Sequence, residues 1–217
     1  MKRLFSLFPL ATVLALAACG GNDAPDNTAP PAAATLSVTD LDPGAYVVSV
    51  GDADNPTVGK YYAGTDGSRY LALADADDKA TTIYRRDKHG SWVAAPGADP
   101  SASVRLLSQA SVPATSVDPA SVAGTYTTVL PSGARASFTV TAEGKIAPGA
   151  SACQLSGTLA AQAMPNTLRL QLSTSACGTL PASAAGVLAI DADYQPAAFR
   201  LLADDGGRVV DLWAYRD

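Results

Sequence analysis

The segment TLRLQLS, residues 167–173, sets Leu168, Leu170 and Leu172 at alternate positions with Arg169, Gln171 and Ser173 between them. Only an extended backbone sends those two sets to opposite sides, so the segment reads as a strand in a sheet with one apolar and one wet face. Comparable short runs recur at 125–130, 136–141, 152–156, 186–190, 198–202 and 208–215, with turn residues between them. A chain that reverses so often leaves no room for helices of ordinary length, apart from a turn at 118–123. About seven or eight short strands predict a small antiparallel barrel or sandwich over 113–217.

The preceding block reads the same way. GAYVVSVGD puts Tyr46, Val48 and Val50 on one face, KYYAGTDGSRYLALA is two aromatic-rich strands around the hairpin pair Asp66-Gly67, and TTIYRRDKHGSWVAA repeats the pattern around 87–90. With SVRLLSQ at 103–109 this predicts an antiparallel meander over 36–112. The stretch ASVPATSVDPAS then carries turn residues and no apolar period, so a domain boundary is expected there and 118–217 is expected to fold alone. The predicted fold class is all-β, as two small antiparallel β domains.

The first 35 residues are of another kind. MKRLFSLFPLATVLALAAC begins with Lys2 and Arg3, continues as an apolar stretch over 4–18 broken by Ser6, Pro9 and Thr12, and ends in small residues before Cys19. A membrane-spanning helix needs about 20 predominantly apolar residues. This run is shorter, which makes 1–18 a secretory signal peptide. The following GGNDAPDNTAPPAAAT cannot bury enough apolar surface to offset the entropy of ordering it, so 19–35 is expected to be a disordered tether.

Leu16-Ala17-Ala18-Cys19 resembles the lipobox of bacterial lipoproteins; a plain cleaved signal with an incidental cysteine is the alternative. The resemblance implies that Cys19 becomes the first mature residue and carries a diacylglycerol and an amide-linked acyl chain of the palmitate kind, with no other cofactor. Several chains anchor a protein stably where one does not. In such lipoproteins an aspartate after the cysteine retains the protein at the inner membrane, so Gly20 implies lipid anchoring at the bacterial outer membrane. The formal charge is −5, and loss of Lys2 and Arg3 leaves 13 cations against 20 carboxylates, or −7. That balance argues against nucleic acid as a partner. The expected partners are the membrane, through the lipid, and an envelope protein or small ligand.

With Cys19 taken by the lipid, Cys153 and Cys177 remain as an even pair in an oxidising compartment. If 152–157 and 167–173 form one hairpin turning at Pro165, then Cys153 faces Cys177, Leu155 faces Ser175 and Gly157 faces Ser173. A non-hydrogen-bonded antiparallel pair has the short Cα separation a disulfide needs. Strict alternation then puts the bridge on the wetter face unless a bulge intervenes. Two free buried thiols are the alternative.

Support for catalysis is thin. His89 is the only histidine; in RRDKHGSW it reads as a solvated turn, and neither a serine triad with GxSxG nor a zinc site can be assembled around it. The groups Asp52/Asp54, Asp75/Asp77/Asp78 and Asp191/Asp193 lack the glycine and distal glutamate of a calcium loop and read as turn formers. No catalytic or metal-binding residue is assigned. Tyr46, Tyr61, Tyr62, Tyr70, Tyr84 and Trp92 crowd into the first block. Core packing accounts for them individually; if they share a face, that face is the candidate contact surface.

Taken together, the lipobox, the tether, GAY with its Asp-Gly-type hairpins, VAGTYTTVLPSGARASFTVTAEGKIAPGASACQLSG, LRLQLS and the final VVDLWAYRD resemble uncharacterised lipoproteins of Gram-negative proteobacteria. The resemblance covers most of the chain and implies no activity. Gly124-Thr125-Tyr126 also resembles the Gly-x-Trp opening of lipocalin-like and avidin-like barrels, with tyrosine for tryptophan. The expected function is a non-catalytic binding or envelope-structural role at the outer membrane. A protease inhibitor on a small disulfide-containing barrel and a hydrolase using acidic residues are the alternatives.

Overall fold

In the computed structural model the described residues are 35–217. The expected signal peptide, Cys19 and the expected tether as far as residue 34 lie outside them.

The first block comprises β1 (Ser37–Val38), β2 (Gly44–Gly51), β3 (Pro56–Ala63), β4 (Arg69–Ala74), β5 (Ala80–Arg86), β6 (Val93–Ala95), β7 (Ser103–Val104) and β8 (Leu106–Val112). Six of these form an antiparallel sheet in the order β6-β5-β4-β3-β2-β8, while β1 and β7 add a two-residue parallel ladder. The alternation of each strand sorts its side chains. Val48, Val50, Tyr61, Leu71 and Leu73 point to one face, covered by Val38 and Leu41. Ala45, Tyr62, Tyr70, Ala72 and Ile83 point to the other. The Asp66-Gly67 turn forms as expected, with Gly67 at φ 85°. Arg69 and Arg86 stand directly opposite each other across β4 and β5, a like-charge pair that needs a counter-ion. Asp40 supplies it, accepting from Arg69 Nε and from Arg86 Nη2. Burial works against this carboxylate, but hydrogen bonds from the two arginines outweigh it and hold Asp40 below the usual carboxylate range.

The second block comprises β9 (Gly124–Val129), β10 (Arg135–Val140), β11 (Lys145–Pro148), β12 (Gln154–Ala161), β13 (Thr167–Ser175), β14 (Ser183–Ala189), β15 (Phe199–Asp204) and β16 (Val209–Arg216). Each pairs antiparallel with its sequence neighbour, and β16 returns to β9 through Ala214 opposite Thr128 to close an eight-stranded barrel. An interior of this strand number is just wide enough to be filled by side chains. Tyr126, Phe138 and Phe199 stack near one another, with ring centroids 4.6–6.4 Å apart, and Leu155, Leu168, Leu170, Leu188, Leu201 and Leu212 fill the rest.

The Cys153–Cys177 disulfide forms, with its Cα atoms 4.5 Å apart. The register around it differs from the expected one by a residue: Gln154 faces Ser175, Leu155 faces Thr174 and Gly157 faces Leu172. Opposed residues share a face of a sheet. A core that takes Leu155 and Leu159 from β12 and Leu168, Leu170 and Leu172 from β13 therefore needs odd positions opposite even ones, which a symmetric turn at Pro165 forbids. Cys177 should then point outward with Ser175. Ala176 adopts a left-handed φ of 56° just beyond β13, breaking the alternation and turning Cys177 inward. The bridge consequently lies in the barrel core, both cysteines buried, and not on the wetter face. It closes a sequence separation of 24 residues, worth about 3 kcal/mol in the loop-entropy account. Replacing both cysteines by serine is expected to lower the melting temperature by roughly 6–12 °C; calorimetry showing no shift would refute that assignment of stability.

The outer faces of β14, β15 and β16 lie under the sheet. Val187, Ala189, Tyr194 and Leu202 from the barrel pack with Tyr62, Tyr70, Ala72 and Ile83. Tyr70 donates to the Leu202 carbonyl at 2.9 Å, and the hydroxyls of Tyr62 and Tyr194 lie 3.1 Å apart. Between the two blocks, Asn166 accepts from the Thr115 amide and donates to the Pro113 carbonyl, tying the expected boundary segment to the β12–β13 turn.

Candidate functional site

The junction of sheet and barrel contains charges that neither surface exposes. Arg200 leaves β15 on the outer face of the barrel, where the sheet covers it. There it donates from Nε to Asp211 Oδ1 at 3.1 Å and from Nη2 to Asp211 Oδ2 at 2.6 Å. The exposures of the two side chains are 6% and 1%. A charge removed from water to that degree requires such a partner. The sheet joins the clamp: Asp211 Oδ2 accepts the Ala80 amide at 2.8 Å, and Nη2 of Arg200 also donates to the Asp78 carbonyl at 2.8 Å. A second pair crosses the junction, Arg85 of the sheet, 35% exposed, donating to the buried Asp204 of β15 at 2.8 Å.

Above the clamp opens a cleft of about 260 Å³. Its sheet wall is made of small side chains, Gly59, Ala72, Ala74 and Ala80, and its barrel wall of Tyr194, Arg200, Leu202 and Trp213. The size contrast leaves the space open. The Arg200 guanidinium lies 4.4 Å from the Trp213 ring and 5.2 Å from that of Tyr194, so its plane is fixed by aromatic contact as well as by Asp211. Lys60 enters from β3 and donates to Asp191 at 2.7 Å and Asp193 at 2.8 Å. Burial disfavours its ammonium, but those hydrogen bonds prevail and raise Lys60 above the ordinary lysine range. The same competition, with Asp211 prevailing over burial, raises Arg200. Asp75, Asp78 and Asp193 are exposed members of the cleft lining, and Val58 is 49% exposed beside them.

The six aromatic residues of the first block do not make one contact surface. Tyr61 and Tyr62 are consecutive in a strand and must point to opposite faces. Tyr61 joins Tyr46, Tyr84 and Trp92 under the N-terminal segment, whereas Tyr62 and Tyr70 face the barrel. Tyr61, Tyr62 and Tyr70 are buried outright, and burial pushes the Tyr61 hydroxyl up to about 12. His89 sits in its exposed turn with its ring beside Gly67. The acidic groups shape turns: Asp52 accepts the Asp54 amide, Asp75 the amides of Asp77 and Lys79, and Asp191 the amide of Asp193. Among the described residues no group of three His, Cys, Asp or Glu side chains is placed to hold a metal ion.

The chain matches no family model, no curated protein and no solved structure. What it does must be read from the cleft itself. Lys60, Tyr194, Arg200, Asp211 and Trp213 were not singled out by sequence pattern. A trace of them exists: Arg200 and Asp211 each interrupt an apolar run, in AAFRLLA and VVDLWAY, and opposite charges in successive strands are what a covered outer face leaves behind.

Proposed function

We propose that this chain is a binding protein held at the bacterial outer membrane by lipid on Cys19, with the cleft between sheet and barrel as its ligand site. The observation that carries the binding reading is the Arg200–Asp211 clamp. Asp211 accepts three hydrogen bonds, two from Arg200 and one from the Ala80 amide, and its side chain is 1% exposed, which makes the aspartate a support for Arg200. A rigid, partly apolar cleft with a few fixed donors is the composition of a small-molecule site. The barrel interior offers no such space, being packed with aromatic and leucine side chains.

The anchor and the cleft are tested separately. Cys19→Ala is expected to move the chain out of the outer-membrane fraction or leave an uncleaved precursor, and to abolish labelling by a palmitate analogue; a labelled Cys19→Ala chain would sink the lipid assignment. For the cleft, the small-molecule fraction of an envelope extract is expected to raise the melting temperature of the wild type. It should leave Val58→Trp unchanged, because that substitution fills the mouth from an exposed position. An equal rise in both would place the ligand elsewhere.

A further inference from the structure

The charges of the cleft are arranged by depth. At the bottom stand Arg200, 6% exposed, and Lys60, 14% exposed. Arg200 uses Nε and Nη2 in its bonds to Asp211 and Asp78; Nη1 takes no part in them. Lys60 uses two of its three donors, on Asp191 and Asp193. Both cations line the cleft, and each has a donor that these bonds leave over. An oxygen acceptor with two lone-pair directions, such as a carboxylate, matches a guanidinium edge and an ammonium that line one cleft, 5.2 and 5.8 Å from the centroid of the same Tyr194 ring.

The rim has the opposite sign. Asp211 balances Arg200 and Asp191 balances Lys60. Asp75, Asp78 and Asp193 then remain as the exposed carboxylates of the lining, of which only Asp193 shares Lys60. Asp75 uses Oδ1 on the amides of Asp77 and Lys79. A free anion approaching the two deep donors meets this acidic rim, and a free amine held by the rim leaves the deep donors without acceptors. A ligand carrying both charges satisfies both ends. Between them the walls are apolar, Val47, Ala72, Ala74 and Leu202 with the rings of Tyr194 and Trp213, and the space of about 260 Å³ lies below the range of drug-sized ligands.

Building on the binding reading above, we infer that the cleft takes a small zwitterion of the amino-acid type with an aliphatic side chain. Its carboxylate lies on Arg200 Nη1 and Lys60 Nζ, its ammonium faces Asp75, Asp78 and Asp193, and its side chain rests on the alanines of the sheet wall. The ligand is held by charge at both ends and leaves chemically unchanged.

The test uses the full chain in detergent and three probes of one carbon skeleton: L-leucine, 3-methylbutylamine, which lacks the carboxylate, and 4-methylpentanoate, which lacks the amine. Titration calorimetry is expected to show L-leucine binding at least tenfold more tightly than either single-charge probe, with the Trp213 indole resonance shifting on binding. Asp78→Asn, an exposed change that leaves the Asp78 carbonyl bond to Arg200 intact, is expected to weaken L-leucine several-fold and to leave 4-methylpentanoate no weaker. Lys60→Gln should weaken both carboxylate-bearing probes; should it unfold the chain, the Asp78→Asn pattern decides. Equal affinities for the three probes, or no heat and no Trp213 shift with L-leucine, would overturn the ligand class. The cleft reading stands or falls on the Val58→Trp comparison, which does not depend on these probes.

Discussion

Asp211→Ala is expected to destabilise the protein by about 3–5 kcal/mol, the range for breaking a buried ion pair at one partner. The substitution leaves the Arg200 guanidinium without its counter-charge at 6% exposure and removes the acceptor of the Ala80 amide. Because Ala80 and Asp78 belong to the sheet and Arg200 and Asp211 to the barrel, the damage falls on the join between them. Urea denaturation should show a lower midpoint for Asp211→Ala. The double change Arg200→Met/Asp211→Leu, which replaces the pair by apolar groups, should recover much of the loss. A cost under about 1 kcal/mol for Asp211→Ala would mean that the pair is solvated and behaves like a surface bridge.

Why this pair was hidden in the sequence follows from where β15 runs. FRLLAD is buried along its whole length, Phe199, Leu201 and Ala203 facing the barrel interior and Arg200, Leu202 and Asp204 facing the sheet. Alternation reports one buried face against one wet face, so a strand buried on both faces by different chemistry gives a false reading of solvent at Arg200 and Asp204. β13 is the opposite case: its outer face is wet, and Leu168, Leu170 and Leu172 enter the core as alternation requires. The one barrel strand outside the expected set is β11, KIAP, four residues ending in proline, too short for a periodic signal. The cysteine pair was legible from its even number and its proximity, but the face it lies on was not, because that depended on the left-handed Ala176, and an alanine gives no local hint of positive φ. The tyrosines were legible as strand residues, and their split between two faces followed from adjacent numbering in Tyr61 and Tyr62.

The tyrosines that face the barrel make the join sensitive to alkali. Burial raises Tyr62 and Tyr70 well above the ordinary phenol value, and it raises Tyr194 against the opposing effect of its hydrogen bond with Tyr62. Each of these groups is neutral when protonated. Below about pH 10 folded and unfolded chains both hold the protons, and the stability associated with burying the phenols is fully present. Above it the unfolded chain releases them while the folded chain retains them. The folded state then binds more protons, and stability falls as pH rises, by about 1.4 kcal/mol per pH unit for each tyrosine. Three such groups give a fall of about 4 kcal/mol per unit while all are protonated in the folded state. Lys60 acts in the same direction, since its raised value means that its ion pairs are kept below the lysine range and lost as pH rises through the folded value. Unfolding is therefore expected to be steep above pH 10, with tyrosinate absorbance from these residues appearing together with the loss of β-sheet circular dichroism and not before it. Tyr62→Phe/Tyr70→Phe should flatten the dependence while lowering stability at neutral pH, because the hydroxyls of Tyr62 and Tyr70 then no longer bond Tyr194 and the Leu202 carbonyl. Tyrosinate formation by all three residues in a chain that keeps its native dichroism would show that the phenols reach water without separating sheet from barrel.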